Sequence, residues 1–267
     1  MVREPCPLSS PGPSTHISNF YIDVVVTALS KFVSFPSVSS DPKHREDCRQ
    51  AAIWLKNCLS QLGAESSLVC SHLNCFCFLY STICKVPTIE GRNPLVLATF
   101  RGSQVSGHPR SRILFYGHYD VMSAPSEGWD TNPFILTGRN GYLYGRGATD
   151  DKGPIIVAAC AASELLKRRE MDCDLVMLIE GEEEVGSIGL SEAIKRSDVR
   201  EKIGHIDGII ISNSTWISEE RPCITYGMRG VIHCSIEVKC LLGRPSNHLS
   251  YYTSLDRKRT SRFTFWS

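Results

Sequence analysis

Apolar runs in the middle of this chain repeatedly break off into charge-rich loops, and that repetition constrains the fold more than any other feature. Residues 112–117 (RILFYG) lead into His118, Tyr119 and Asp120, and residues 142–144 (YLY) lead into GRGATDDKGP. Residues 175–179 (LVMLI) lead into Glu180 and the triplet Glu182, Glu183 and Glu184, and residues 206–211 (IDGIII) into SNSTW. Between them lie helical patterns, one from Pro154 through Val157, Ala161, Leu165 and Leu166, and one over residues 188–196. Neighbouring parallel strands need a crossover of a dozen or so residues, commonly a helix, so this alternation predicts an α/β fold with a mostly parallel central sheet and helices on both faces. Ligands of such sheets gather outside the carboxyl ends of the strands. The charged loops fall there.

The flanking sequence completes an ordinary globular pattern. Ile22, Val25, Val26, Leu29, Phe32 and Val33 recur at helical spacing, and a second helix starts at Asp41–Pro42 and runs through Ala51, Leu55 and Leu59 to a stop at Gly63. Residues 95–100 read as a strand, and Asn140–Gly141 as the turn of a hairpin between residues 135–136 and 142–144. The expected organisation is a disordered, proline-rich leader over 1–16, one domain over 17–239, and a tail over 240–267. Two stretches break the pattern: 70–85 (CSHLNCFCFLYSTICK), an insertion without a clean period, and the tail itself, whose basic cluster RKR at 257–259 reads as a solvated face. Both read as sequence foreign to the domain.

A formal net charge of +1 gives no field that would favour nucleic acid or an anionic membrane. The longest apolar run, 76–83, is far short of the roughly 18–20 residues that span a bilayer. The first residues lack the apolar core of a signal peptide, so a cytoplasmic protein is expected. Of the twelve cysteines, most are scattered through apolar patterns, as Cys160 and Cys234 are, and read as reduced, buried thiols. Cys70, Cys75, Cys77 and Cys84 are clustered, but not in the paired spacing of a metal site.

Singly, each charged loop has an unremarkable explanation. His118 can be a loop residue, Asp150 a helix cap beside Pro154, and the glutamate triplet a solvated face. Together they converge on one sheet edge, where several carboxylates repel one another unless a cation neutralises them. One histidine with several carboxylates suits zinc, with manganese or cobalt as substitutes.

The ordered motifs GHYDV, YLYGRGATDDKGP, EGEEEVGS and PCITYGMRG resemble those of the co-catalytic metallopeptidases that include carnosine dipeptidases, glutamate carboxypeptidases and aminoacylase. GRNPLVLATF and SNSTW look most similar to the fungal subunit that works with an amidotransferase-like partner in glutathione breakdown. The resemblance implies two zinc ions per site, with His118 a ligand of one and Asp150 bridging both. It implies Glu184 as a further ligand, Glu183 as the general base that takes a proton from water, and Asp120 as the residue that orients His118. Asp151 is expected to pair with Lys152 or face solvent. At the position of a metal-binding Asp in the dipeptidases stands Asn213, a weaker and uncharged ligand.

The family's further histidine ligand and its lid and dimerisation domain fall beyond the pattern carried here, so a C-terminally truncated chain is expected, forming a homodimer only where that domain is present. The implied function is metal-dependent hydrolysis of a dipeptide-like or γ-glutamyl amide bond in a small peptide. The alternatives are a non-catalytic scaffold for an amidotransferase-like protein, and an N-acyl amino acid deacylase.

Overall fold

The computed structural model describes residues 15–69, 92–103, 110–125, 127–213, 223–227, 235–237 and 262–264. The cysteine-dense stretch 70–85, residues 1–14 of the leader, and all of the tail except 262–264 lie outside the described residues. The chain forms two compact units, 1–214 and 215–267.

In the first unit, helix α1 (Thr15–Val33) and helix α2 (Arg45–Gln61) precede strands β1 (Glu65–Val69), β2 (Leu95–Phe100) and β3 (Arg112–His118). A hairpin, β4 (Thr137–Arg139) and β5 (Tyr142–Tyr144), leads to helix α3 (Lys152–Arg168) and strand β6 (Asp174–Glu180). Two short helices, α4 (Leu190–Lys195) and α5 (Ser197–Ile203), and strand β7 (Gly208–Ile211) complete it.

Local chemistry accounts for these elements. Before α2, the Asp41 carboxylate accepts from the Lys43 amide at 2.9 Å, with Pro42 opening a short 3-10 turn. The acidic Glu46 and Asp47 sit in the first turn of α2, and its stripe Cys48, Ala51, Ala52, Leu55 and Leu59 is buried. The hairpin turns at Asn140 and Gly141, with φ of 53° and 80°, the left-handed backbone such a tight turn requires. The helix expected over 188–196 is the shorter α4, which ends where Arg196 adopts an extended ψ of 137°, and α5 follows beyond that range.

The sheet order is β1-β2-β6-β3-β7. Strands β6, β3 and β7 run parallel, in the register His118↔Glu180 and Tyr116↔Ile211, while β1 and β2 add an antiparallel margin. Helices cover both faces. Phe32 of α1, Leu55 and Leu59 of α2, and Ile155, Ile156 and Ala159 of α3 pack with Val96, Ala98, Phe115, Met177 and Ile179. On the other face, Ala193 and Val199 of the short helices pack on Leu95, Leu97 and Leu178. Each fully buried Leu, Ile or Phe contributes about 1.5–3 kcal/mol, so this two-sided core holds the parallel strand ends rigid beneath the charged loops. Edge strand β7 leaves Ile209, Ile210 and Ile211 exposed at 65%, 49% and 64%.

In the second unit, strand β8 (Ser235–Glu237) pairs antiparallel with strand β9 (Arg262–Thr264) of the tail. Among the described residues no helix is long and apolar enough to cross a membrane.

Candidate metal centre

Parallel strands deliver their carboxyl ends to one edge, and the charged loops meet there. His118 is the last residue of β3 and is buried. Around its Nε2 stand Asp150 Oδ1 at 2.9 Å, Asn213 Nδ2 at 3.2 Å and Glu183 Oε2 at 3.7 Å. Its Nδ1 faces the Asp120 carbonyl oxygen at 3.1 Å and the Asp120 carboxylate at 3.4 Å. His118, Glu183 and Glu184 each offer one ligand atom, all within 4.8 Å of one another.

Asp120, fully buried, acts on two elements at once. Its oxygens accept the amides of Glu183 at 3.2 Å and Glu184 at 3.1 Å, the first donors of the 3-10 turn Glu183–Val185. The loop after β6 is held from the other side as well. Glu182 is buried, and its Oε1 accepts the Asn93 amide at 2.8 Å, while Tyr119 donates its hydroxyl to the Pro94 carbonyl at 2.8 Å. Glu180 takes the Tyr116 hydroxyl at 2.5 Å and the Ser187 hydroxyl at 2.8 Å.

The electrostatics are those of a site short of positive charge. Burial pushes the carboxyls of Glu180, Glu182 and Glu184 upward, and it carries Asp151 to about 7. Burial alone would lower the His118 ring, but its hydrogen bonds to Asp120 and Asp150 outweigh that and raise it to about 11. Asp150 is lowered in turn, chiefly by its contact with His118.

The family model for peptidase family M20/M25/M40 matches residues 114–254, a span that holds every one of these side chains. The chain belongs to this family. The M20 chain is 39% identical over 222 residues to the probable di- and tripeptidase DUG2 of Saccharomyces cerevisiae, covering 80% of this chain and 23% of that protein. It is 36% identical over 227 residues to the Cys-Gly metallodipeptidase dug1 of Schizosaccharomyces pombe, covering 81% of this chain and 43% of that protein. Human carnosine dipeptidase 1 superposes with a TM-score of 0.65 at 33% identity, over 85% of this chain and 45% of that chain. The M20 chain thus spans less than half the length of these relatives.

The donor set fits a divalent cation. Ligands of a tetrahedral zinc at about 2.0 Å stand roughly 3.3 Å apart, and the 2.9 Å spacing of Asp150 Oδ1 and the 3.7 Å spacing of Glu183 Oε2 from His118 Nε2 bracket that value. An imidazole with several carboxylates is also the donor chemistry that zinc and manganese accept. The structure brings together all six residues singled out from the sequence: His118, Asp120, Asp150, Glu183, Glu184 and Asn213. Asp150 does not cap α3, whose N-cap residue is Asp151, and Asp151 makes no side-chain capping bond there.

Two neighbours behave differently from expectation. Asp151 neither pairs with Lys152 nor faces solvent: it is fully buried, and its Oδ2 accepts the His118 amide at 3.1 Å. Lys152, also fully buried, points away from the site and donates Nζ to the Phe32 and Phe35 carbonyls at 3.0 and 2.7 Å. A run of Asp, Asp and Lys at a helix entrance was the available signal, since three adjacent charges cannot all face water once the helix packs.

Proposed function

We propose that this M20 chain carries the metal centre of a peptidase that hydrolyses a dipeptide-like amide bond. The carrying observation is the buried His118 ringed by Asp150, Glu183 and Asn213, at the strand ends of a fold shared with proteins named as dipeptidases. His118, Asp150 and Glu184 would hold the cations, with zinc favoured, two per site, and manganese or cobalt as substitutes. Bound there, divalent cations supply Lewis acidity to the scissile carbonyl and lower the pKa of a water.

The chain's own residues divide the remaining work. Glu184 Oε1 is anchored by the Met122 amide at 3.1 Å, which suits a ligand that must not swing. The Glu183 carboxylate is 38% exposed and 3.7 Å from His118 Nε2, which suits a base that takes a proton from water and returns it to the leaving amine. Asp120 holds the His118 ring and both glutamate amides in register. The substrate class is a small peptide, of the Cys-Gly kind by likeness to the dug1 relative or of the γ-glutamyl kind by the resemblance of GRNPLVLATF and SNSTW. An amidotransferase-like partner, homodimerisation through a lid domain and a cytoplasmic location complete the reading.

One observation favours a second reading. Asn213 gives the His118 site an amide where a carboxylate would neutralise charge, which would suit a scaffold subunit without hydrolytic activity. Hydrolysis of Cys-Gly and β-Ala-His, assayed with zinc, manganese or cobalt, separates the two. Turnover that falls about 100-fold or more in Glu183→Gln supports the peptidase. A protein that binds zinc but cleaves neither peptide, or a Glu183→Gln variant as fast as wild type, refutes it.

A further inference from the structure

We propose that Asp151 is a positioning residue, whose buried carboxylate takes the backbone N–H of His118 and thereby fixes where the imidazole stands. The inference rests on the reading of His118 as a cation ligand.

The need for such an acceptor comes from the sheet. Along β3 alternate amides point to β6 or to β7, and Tyr119 donates to the Glu180 carbonyl on the β6 side at 2.8 Å. The β7 side runs out first: its last pair with β3 is Tyr116↔Ile211, so the His118 amide lies beyond the end of the neighbouring strand. At the other end of the same side, Arg112 meets the same shortage, and the Asp207 carboxylate takes its amide at 2.7 Å. Asp151 does this for His118 at 3.1 Å.

Fixing that amide fixes the plane of the 117–118 peptide, and with it the direction in which His118 leaves the strand. The ring is then held at Nδ1 by Asp120 and presents Nε2 toward Asp150 and Glu183.

Two further features show that the contact is built. Asp151 is fully buried, and its Oδ1 has no hydrogen-bond partner among the described residues, a costly state that a side chain serving packing alone would avoid. Gly117 makes the seat. A β-carbon there would overlap Asp151 Oδ2, and would also press on Ile155 Cγ1 at 3.2 Å and Phe115 Cε1 at 3.3 Å. The absence of a side chain at 117 is what lets the carboxylate lie against the strand end.

The test uses cobalt(II), whose visible spectrum reports the geometry of its ligands, with affinity measured by chelator competition on the purified protein. Asp151→Ala should weaken cobalt binding by about 10- to 100-fold and alter the spectrum. Asp151→Asn keeps an acceptor of the same shape and should retain the spectrum, with affinity within about fivefold of wild type. Gly117→Ala should also weaken cobalt binding, because its β-carbon displaces the Asp151 carboxylate while pressing on Ile155 and Phe115. Wild-type affinity and spectrum in Asp151→Ala would overturn the proposal. So would an Asn variant as weak as Ala.

Amide exchange in wild type needs no variant to fold. Slow exchange at His118 supports the contact, and a loop-like rate overturns it. If wild type binds no cobalt, the cation reading fails instead, and the exchange rate still decides the Asp151–His118 contact.

Discussion

Replacing Asp120 by Asn tests the link between fold and metal centre in one step. The carboxylate is fully buried and receives two backbone amides, from Glu183 at 3.2 Å and Glu184 at 3.1 Å. An Asn of the same shape can accept only one, and it turns an NH2 group toward the other amide. The lost charge-assisted hydrogen bond is worth about 1.5–3 kcal/mol. Against this, removing one negative charge from a cluster with Glu180, Glu182 and Glu184 relieves repulsion in the metal-free protein. The expected net loss of metal-free stability is therefore about 1–2 kcal/mol, read from urea denaturation. Zinc affinity should fall further, by about 10- to 100-fold, because the cation loses a nearby anion as well as the ordering of His118 and Glu184. Chelator competition measures it. Unchanged affinity beside a lowered stability would confine Asp120 to the fold and refute its role in orienting His118.

Further outcomes follow from the same geometry. Lys152→Met removes the donor to the Phe32 and Phe35 carbonyls and should lower stability by about 1–3 kcal/mol in urea melts, whereas an unchanged midpoint would show that the buried ammonium contributes nothing net. Asn213→Asp places a charged oxygen beside His118 Nε2 and should raise zinc affinity by about tenfold or more in calorimetric titration; a weaker site would mean that residue 213 does not face the cation. His118 and Asp151 should each cost the metal-free protein stability as pH rises, while Lys152, lowered by burial from 10.5 to about 7, offsets part of that loss above 7. The folded pKa of His118 is raised from 6.5 to about 11, so its contribution is full below 6.5 and is lost toward 11, and Asp151, raised from 3.8 to about 7, weakens the fold over that lower window. A cation replaces those protons, so zinc should flatten or reverse the trend, and melts in chelator and in zinc at about pH 6 and about pH 9 will show whether it does.

Much of this molecule was legible in the chain because its signals are local. The apolar runs in RILFYGH and DLVMLIE, the helical stripes of α2 and α3, and the Asn140–Gly141 turn each depend on residues within a few positions of one another. The gathering of His118, Asp120, Glu183 and Glu184 was legible for a related reason, since strands that run parallel place their outgoing loops on one edge whatever their order. Asp150 arrives there from the entrance of α3, after the hairpin β4–β5 that forms a sheet of its own. Strand order itself was not. Nothing in ESSLV marks β1 as a strand at the margin, and only packing sets β2 antiparallel beside β6 with β1 antiparallel outside it.

The same boundary runs through the Asp150–Asp151–Lys152 triplet. The sequence by itself determined that three charges stand at the entrance of α3 near a histidine. Only the tertiary structure decided that Asp150 meets the His118 ring, that Asp151 turns inward to its amide, and that Lys152 reaches back to the end of α1. Those acceptors and donors lie 32 to 120 residues away along the chain, and which charge is buried depends on the unpaired backbone groups that the folded sheet and helix leave beside it.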